Sequence, residues 1–248
     1  MLKVESVEKS YKKGALLSRE KQSVLKNISF ECKSGECLGI IGESGSGKST
    51  LGRLVLGIEK PDRGTVSFNG MNVKDRKVRL SNISAVFQDY KSSINPFFTV
   101  EDAILEPLKT QNKNIKENKE KVLSLLNQVG LPSTYRNKYP HELSGGEVQR
   151  VCIARAISTQ PKCILLDEAI SSLDVSVQTK ILELLKDLKR IYNMSYVFIT
   201  HDLQAAAYIC DRIIIFKDGQ IEEMVDIEHL KDVKSAYAKE LLKSLITF

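Results

Sequence analysis

No stretch of this 248-residue chain approaches the roughly 18 consecutive apolar residues that cross a bilayer as a helix. Its start, MLKVESVEKSY, alternates apolar and polar residues like a strand and lacks the apolar run of a secretion signal. A cytoplasmic chain is therefore expected, one that serves a membrane only as a peripheral subunit. The five cysteines, Cys32, Cys37, Cys152, Cys163 and Cys210, form no CxxC pair and have no histidine at zinc-finger spacing. No metal site is expected on them, and Cys163, inside an apolar run, reads as a small buried hydrophobe. There is no internal repeat, no low-complexity tract and no sign of a second domain. Neither sign of charge dominates: the net charge of +6 is mildly basic and points to no particular partner. What remains is an ordinary globular balance, 42% hydrophobic and 27% charged, at a length that suits one large α/β domain with a small satellite.

The apolar pattern supplies the outline. LKVESVEKSY and SVLKNISFECKSGECLGII read as short strands with a turn at Ser34-Gly35, and the charge-rich stretch over residues 12–22 reads as an exposed loop. A helix is expected from Gly47 to about Gly57, then strands in GTVSF and ISAVFQ. Between Asp89 and about Gln160 the spacing turns helical, in VEDAILEPL, in KENKEKVLSLLNQVG and in GEVQRVCIARAIS, where Val148, Val151, Cys152 and Ala156 share one face. LPSTYRNKYP reads as a polar linker. Strands return in KCILLDE, SYVFIT, RIIIF and QIEEMV, interleaved with helices. The first carries Val177, Ile181, Leu184, Leu185 and Leu188; the second begins at DLQAAAYI. Continuous apolar strands alternating with amphipathic helices predict a parallel sheet covered on both faces.

GESGSGKST fits G-x-x-x-x-G-K-[ST], directly after the strand CLGII and before a helix. The loop comprises Gly42, Glu43, Ser44, Gly45, Ser46, Gly47, Lys48, Ser49 and Thr50. Its glycines let backbone N–H groups converge on phosphate oxygens, and the helix adds its positive end. Lys48 is expected to reach the β- and γ-phosphates and Ser49 to ligate Mg²⁺. CILLDE supplies the complementary half, because an apolar strand ending in two carboxylates needs a reason for the desolvation cost. Asp167 is expected in the Mg²⁺ shell, and Glu168 is expected to orient and polarise the attacking water. These features together specify a P-loop NTPase.

A second glycine loop, LSGGE at Leu143–Glu147, opens the helix EVQRVCIARAI. As a bare pattern it reads first as a capped helix, and second as an anion cradle built from Ser144, Gly145 and Gly146. Taken with GESGSGKST, CILLDE and SSLD, it resembles the signature sequence of the ATP-binding cassette (ABC) ATPases, over essentially the whole chain. That resemblance implies an α/β fold. A P-loop NTPase (RecA-like) core with a mainly parallel sheet would carry an antiparallel β subdomain and a helical insertion subdomain. A single domain over 1–248 is expected, its core about 1–88 and 161–248 and its helical part about 89–160. The resemblance implies that Tyr11 stacks on adenine and that Gln88 touches Mg²⁺ and the water. Asp174 in SSLD would contact a partner chain, and His201 would sense the γ-phosphate. It also implies two cassettes stacked head to tail, each signature loop closing over ATP held by the other. Ala169 and Ile170 stand where the family commonly has proline and threonine, so a looser turn at Glu168 is expected. Glu147 replaces the usual glutamine, which adds negative charge beside a phosphate site.

The segment QDYKSSINPFFTVEDAILEPL is similar to one in ATPases of the oligopeptide, dipeptide and nickel import group, and SAYAKELLKSL resembles that group's tail helix. That likeness implies a second ATPase subunit, expected as a heterodimer partner with a homodimer as the alternative. It also implies permease subunits and, indirectly, an extracytoplasmic solute-binding protein, with a cargo of peptide, nickel or metal held by a small chelator. Rival readings are an exporter ATPase and a non-transport ABC ATPase. A cassette for DNA repair or chromosome structure would need coiled-coil arms, and no sustained heptad occurs between Ser49 and Leu143, so no nucleic-acid partner is expected. A ribosome-associated cassette usually has two such domains per chain, and a metabolic P-loop kinase would lack LSGGE.

Overall fold

Two sheets share α1 between them, and the alternation of side chains along the central strands explains why. The computed structural model describes residues 1–12, 21–89, 92–111 and 114–246. Among these, β1 (Leu2–Lys12), β2 (Lys21–Cys32), β4 (Arg63–Phe68) and β5 (Met71–Asn72) form an antiparallel sheet in the order β2-β1-β4-β5. The larger sheet has the order β10-β9-β3-β8-β7-β6. It comprises β3 (Cys37–Ile41), β6 (Ile83–Phe87), β7 (Cys163–Asp167), β8 (Ser195–Thr200), β9 (Arg212–Lys217) and β10 (Gln220–Asp226). Every pairing in it is parallel except that of β10 with β9. This is the mainly parallel α/β fold expected from the pattern.

Successive residues of a strand face opposite sides. On β7, Cys163 and Leu165 join the core shared with the antiparallel sheet and α1 (Lys48–Val55), while Ile164 and Leu166 join the core under the other helices. β8 divides in the same way, Val197 and Ile199 to one side, Tyr196 and Phe198 to the other. Strands buried on both faces have no polar positions to alternate, hence their continuous apolar runs. The second core holds α6 (Val175–Tyr192), through Ile181, Leu182, Leu185 and Leu188, and α7 (Leu203–Ile209). It continues among α3 (Val100–Gln111), α4 (Ile115–Gln128) and α5 (Gly145–Ile157). Helix α8 (Ala236–Ile246) closes the described chain.

Local departures from the sequence reading have simple causes. The loop over residues 12–22 lies mostly outside the described residues, but its ends are strand: Tyr11 pairs with Gln22 and Lys12 with Lys21. Helix α2 (Arg76–Asn82) and the two-residue β5 were not expected. α2 buries only Val78 and depends on its N-cap, where the Asp75 carboxylate accepts from Lys77 N at 2.8 Å. Too short for periodicity to register, it is set by capping. α5 buries Ile153, Ala154 and Ile157 besides the expected face, so it is embedded rather than amphipathic.

Candidate active site

Parallel strands point their carboxyl ends the same way, so whatever follows them gathers along one edge. Here Ile41 lies opposite Thr200, Asp167 opposite Ile199, and Phe87 opposite Asp167. The glycine loop after β3, Gln88 after β6, Glu168 after β7 and His201 after β8 are therefore neighbours on that edge. Gln88 is exposed there.

The loop's shape depends on glycine at two points. A Cβ on Gly42 would lie 2.0 Å from the Phe216 carbonyl oxygen, so any side chain would push the loop off β9. Gly47 has φ +108 and would bring a Cβ within 2.9 Å of the Val24 carbonyl. Lys48, only 4% exposed, folds back to donate from Nζ to the Gly42 and Glu43 carbonyls, each at 2.7 Å. Ser49 is exposed in the first turn of α1. Thr50 turns inward, its Oγ1 accepting from Arg53 at 3.1 Å. Glu43, Ser44 and Gly45 are exposed, and Ser46 is buried, its Oγ without a hydrogen-bond partner.

The two acids differ in surroundings. Asp167 Oδ1 is buried with no hydrogen-bond partner. Burial, and then the neighbouring Glu168 charge, push the Asp167 carboxyl above its usual pKa, against Lys48 and Arg53. Burial likewise lowers the Lys48 ammonium's pKa, against the pull of Glu168, Asp167 and Glu43. Both shifts run toward the neutral form, so desolvation exceeds the mutual attraction. An orphaned buried carboxylate oxygen, an ammonium resting on loop carbonyls and an exposed hydroxyl form an all-oxygen donor set plus a cation, which fits a polyphosphate with a hard divalent ion.

Glu168 sits in the left-handed region, φ 48, a conformation costing about 1 kcal/mol in a residue with a side chain. Its N–H donates to Ile199 O at 2.9 Å, and its carbonyl accepts from Ser171 N and Oγ at 3.2 and 3.0 Å. The side chain is 17% exposed and lies 3.3 Å from Nδ1 of His201, itself 55% exposed. The turn that lacks the proline is contacted from other elements. Ala169 and Ile170 are buried, and the Ala169 carbonyl accepts from Nε2 of Gln149, a fully buried residue of α5. Sequence reading missed Gln149, because one buried polar residue in a helix that also carries Glu147, Arg150 and Arg155 leaves no periodic mark. Gln149→Ala strands the Ala169 carbonyl, and a loss of about 1–3 kcal/mol is expected, read as a lowered denaturation midpoint with unchanged m value.

Tyr11 stands apart, on β1. Its ring is half-buried and its hydroxyl donates to Glu59, beside Arg53. The second glycine loop also lies elsewhere. Ser144 caps α5, and a Cβ on Gly146 would meet Val177 Cγ1 at 2.7 Å, so the close approach of α5 to α6 requires glycine. Ser144, Gly145, Gly146 and Asp174 line a cleft of about 360 Å³ whose described lining includes Lys180 but no residue of the first loop. Glu147 also lines that cleft, where its side chain closes a capping box. Its carboxylate accepts from Ser144 N at 2.7 Å, Ser144 Oγ at 2.8 Å and Tyr135 Oη at 2.7 Å. The Tyr135 hydrogen bond first, then those from Ser144, hold its carboxyl below the usual pKa. The extra charge expected there is thus present at the cleft, with its oxygens engaged by Ser144 and Tyr135.

The chain is similar to known proteins along its length. The ABC transporter family profile matches residues 25–171, more than half of the chain. The metal-staphylopine import system ATP-binding protein CntF of Staphylococcus aureus is 51% identical over 249 residues, covering 100% of both chains. The oligopeptide transport ATP-binding protein AppF of Bacillus subtilis is 42% identical, over 88% of this chain and 69% of its own length. The nickel import ATP-binding protein NikE of Escherichia coli O157:H7 is 38% identical, over 90% and 86%. Among solved structures, the ATP-binding cassette MJ0796, described as dimeric in a post-hydrolysis state bound to ADP and Pi, superposes with a TM-score of 0.82. It is 33% identical, over 92% of this chain and 99% of that one. With its glycine loop, its paired acids and its separate signature loop, the chain belongs to the ABC transporter family and is an ATP-binding, ATP-hydrolysing cassette.

Proposed function

We propose that this cassette energises an importer for peptides, nickel or chelated metal from the cytoplasmic face of the membrane. It works there as one half of a head-to-tail nucleotide-sandwich dimer. One observation carries the reading: a single chain has two glycine loops that each open a helix, Gly42–Thr50 and Ser144–Gly146, and the cleft around the second contains no described residue of the first. Two loops that do not meet within a chain can meet across a pair of chains, and the cassette with which this one superposes is described as dimeric.

In that arrangement the loop amides and Lys48 hold the β- and γ-phosphates, and the half-buried Tyr11 ring is available to adenine. Ser49, Gln88 and Asp167 are the oxygen donors that would hold Mg²⁺, which when bound neutralises charge between the phosphates. Glu168 accepts a hydrogen bond from the attacking water and orients it. His201, 3.3 Å from the same carboxylate, is given the role of sensing the γ-phosphate. Ser144, Gly145 and Gly146 cover the partner's γ-phosphate, and Asp174 lies in that contact. Hydrolysis then releases what ATP held together.

The partners proposed are a second ATPase subunit, membrane permeases and, through them, a solute-binding protein. Phe97 stands 86% exposed ahead of α3 and Leu80 48% exposed on α2. Leu80 helps line a cleft of about 320 Å³ between β6 and helices α3 and α5, apolar surface suited to a membrane subunit. Of the cargo classes, metal on a small chelator is favoured, because the metal-staphylopine relative matches end to end. Deleting the gene is expected to abolish uptake of one metal chelate, and affinity purification of the tagged chain from solubilised membranes to recover permease subunits. Normal uptake in the deletion strain, with recovery of ribosomes or DNA instead, overturns the transport reading.

A further inference from the structure

The proposed mechanism gives no role to the tail helix, yet α8 touches the phosphate loop. Tyr237, in its first turn, is 6% exposed, and its hydroxyl oxygen accepts from Glu43 N at 3.3 Å. That N–H belongs to the same peptide unit as the Gly42 carbonyl, which accepts from Lys48 Nζ at 2.7 Å. A peptide plane turns as one body. Whatever fixes its N–H therefore also fixes the direction in which its carbonyl offers itself to the lysine, and hydrogen bonds in such a series polarise one another.

The tyrosine is itself held from three sides. Lys217 Nζ lies 4.5 Å from the centre of its ring, a cation–π contact from the end of β9. Upstream, the Glu223 carboxylate of β10 accepts from Lys234 N at 2.9 Å and Ser235 N at 3.0 Å, tying the start of α8 to the sheet. Ser235 Oγ then accepts from Ala238 N at 3.0 Å, closing the first turn around the tyrosine. The β9–β10 turn grips the loop independently, with Gly219 N donating to Ser46 O at 2.9 Å. A pocket of about 90 Å³ separates these two grips, lined by Glu43–Ser46, Lys217, Asp218 and Tyr237, so the loop is touched at points rather than packed solid.

We propose that Tyr237 is a positioning residue for nucleotide binding. Its hydroxyl fixes the Gly42–Glu43 peptide and, through it, the Lys48 ammonium, so that α8 sets the affinity of the phosphate loop. The idea rests on the reading of Gly42–Thr50 as the phosphate site. Tyr237→Phe in the full chain is the test, because it keeps the ring, its packing and the Lys217 contact while deleting only the hydroxyl. Three quantities would be measured: equilibrium binding of a fluorescent ATP analogue with Mg²⁺, thermal unfolding of the nucleotide-free protein, and amide exchange over Gly42–Lys48. The expected result is an unchanged melting temperature, faster exchange in the loop and affinity weaker by about threefold to tenfold. KM for ATP should rise by the same factor while kcat holds. A Phe variant that binds as tightly as the wild type, whatever its melting temperature, overturns the proposal. Failure of the wild type to bind the nucleotide would instead overturn the assignment of the loop.

Discussion

Glu168→Gln is expected to lower steady-state phosphate release by about 10³-fold, the range for losing a positioned proton acceptor, while ATP binding survives. The two side chains are isosteric, and the turn that aims residue 168 is made by backbone and serine contacts, Glu168 N to Ile199 O and Ser171 to the Glu168 carbonyl, which the exchange does not touch. The water's proton acceptor is lost, together with the charge that faces His201 and Lys48. A cassette that binds ATP but cannot cleave it has nothing to separate it from its partner, so the variant should accumulate as an ATP-bound pair, visible as a doubled mass by light scattering when ATP is added. Folding should not suffer. Neutralising Glu168 relieves its repulsion with Asp167 while giving up its attraction to Lys48, and the two changes oppose each other. Phosphate release at the wild-type rate in this variant would refute the role given to Glu168.

The acid pair and the phosphate loop were legible because each is a local pattern with a physical cost attached. Glycines at 42, 45 and 47 ahead of a lysine, and two carboxylates ending an apolar strand, both demand an explanation within a few residues of sequence. What holds them in shape was not legible. The left-handed backbone of Glu168 depends on Ile199, more than thirty positions along the chain, and the turn after it depends on Gln149 in another helix. Proline's absence at Ala169 suggested a loose turn because the chain was read one neighbourhood at a time. The Tyr237 contact with Glu43 spans 194 residues and involves a hydroxyl, which no hydrophobic period encodes. Helix α2 was missed for the opposite reason. Its cause is local, a single aspartate cap, but it lacks the length at which an apolar stripe becomes distinct.

Gly146→Asp should leave a single cassette's affinity for MgATP unchanged and yet reduce turnover by at least about 10²-fold, the scale of losing one preorganised donor at a developing charge. The residue lies in the signature cleft, which no described residue of the phosphate loop lines, so its own chain's nucleotide contacts are untouched. A carboxylate there would face the partner's γ-phosphate with like charge, and it would crowd the N–H groups that should close on it. Sterics could imitate this result, since even a Cβ at Gly146 would sit 2.7 Å from Val177 Cγ1 and could wedge α5 from α6. Gly146→Ala combined with Val177→Ala supplies the space without the charge and is expected to keep most of the activity. If the aspartate variant hydrolyses ATP at the wild-type rate, the reaction centre is complete within one chain and the second glycine loop is only a helix cap. If it binds ATP normally, does not turn over and does not pair, then Ser144–Gly146 acts on a nucleotide that its own chain never holds.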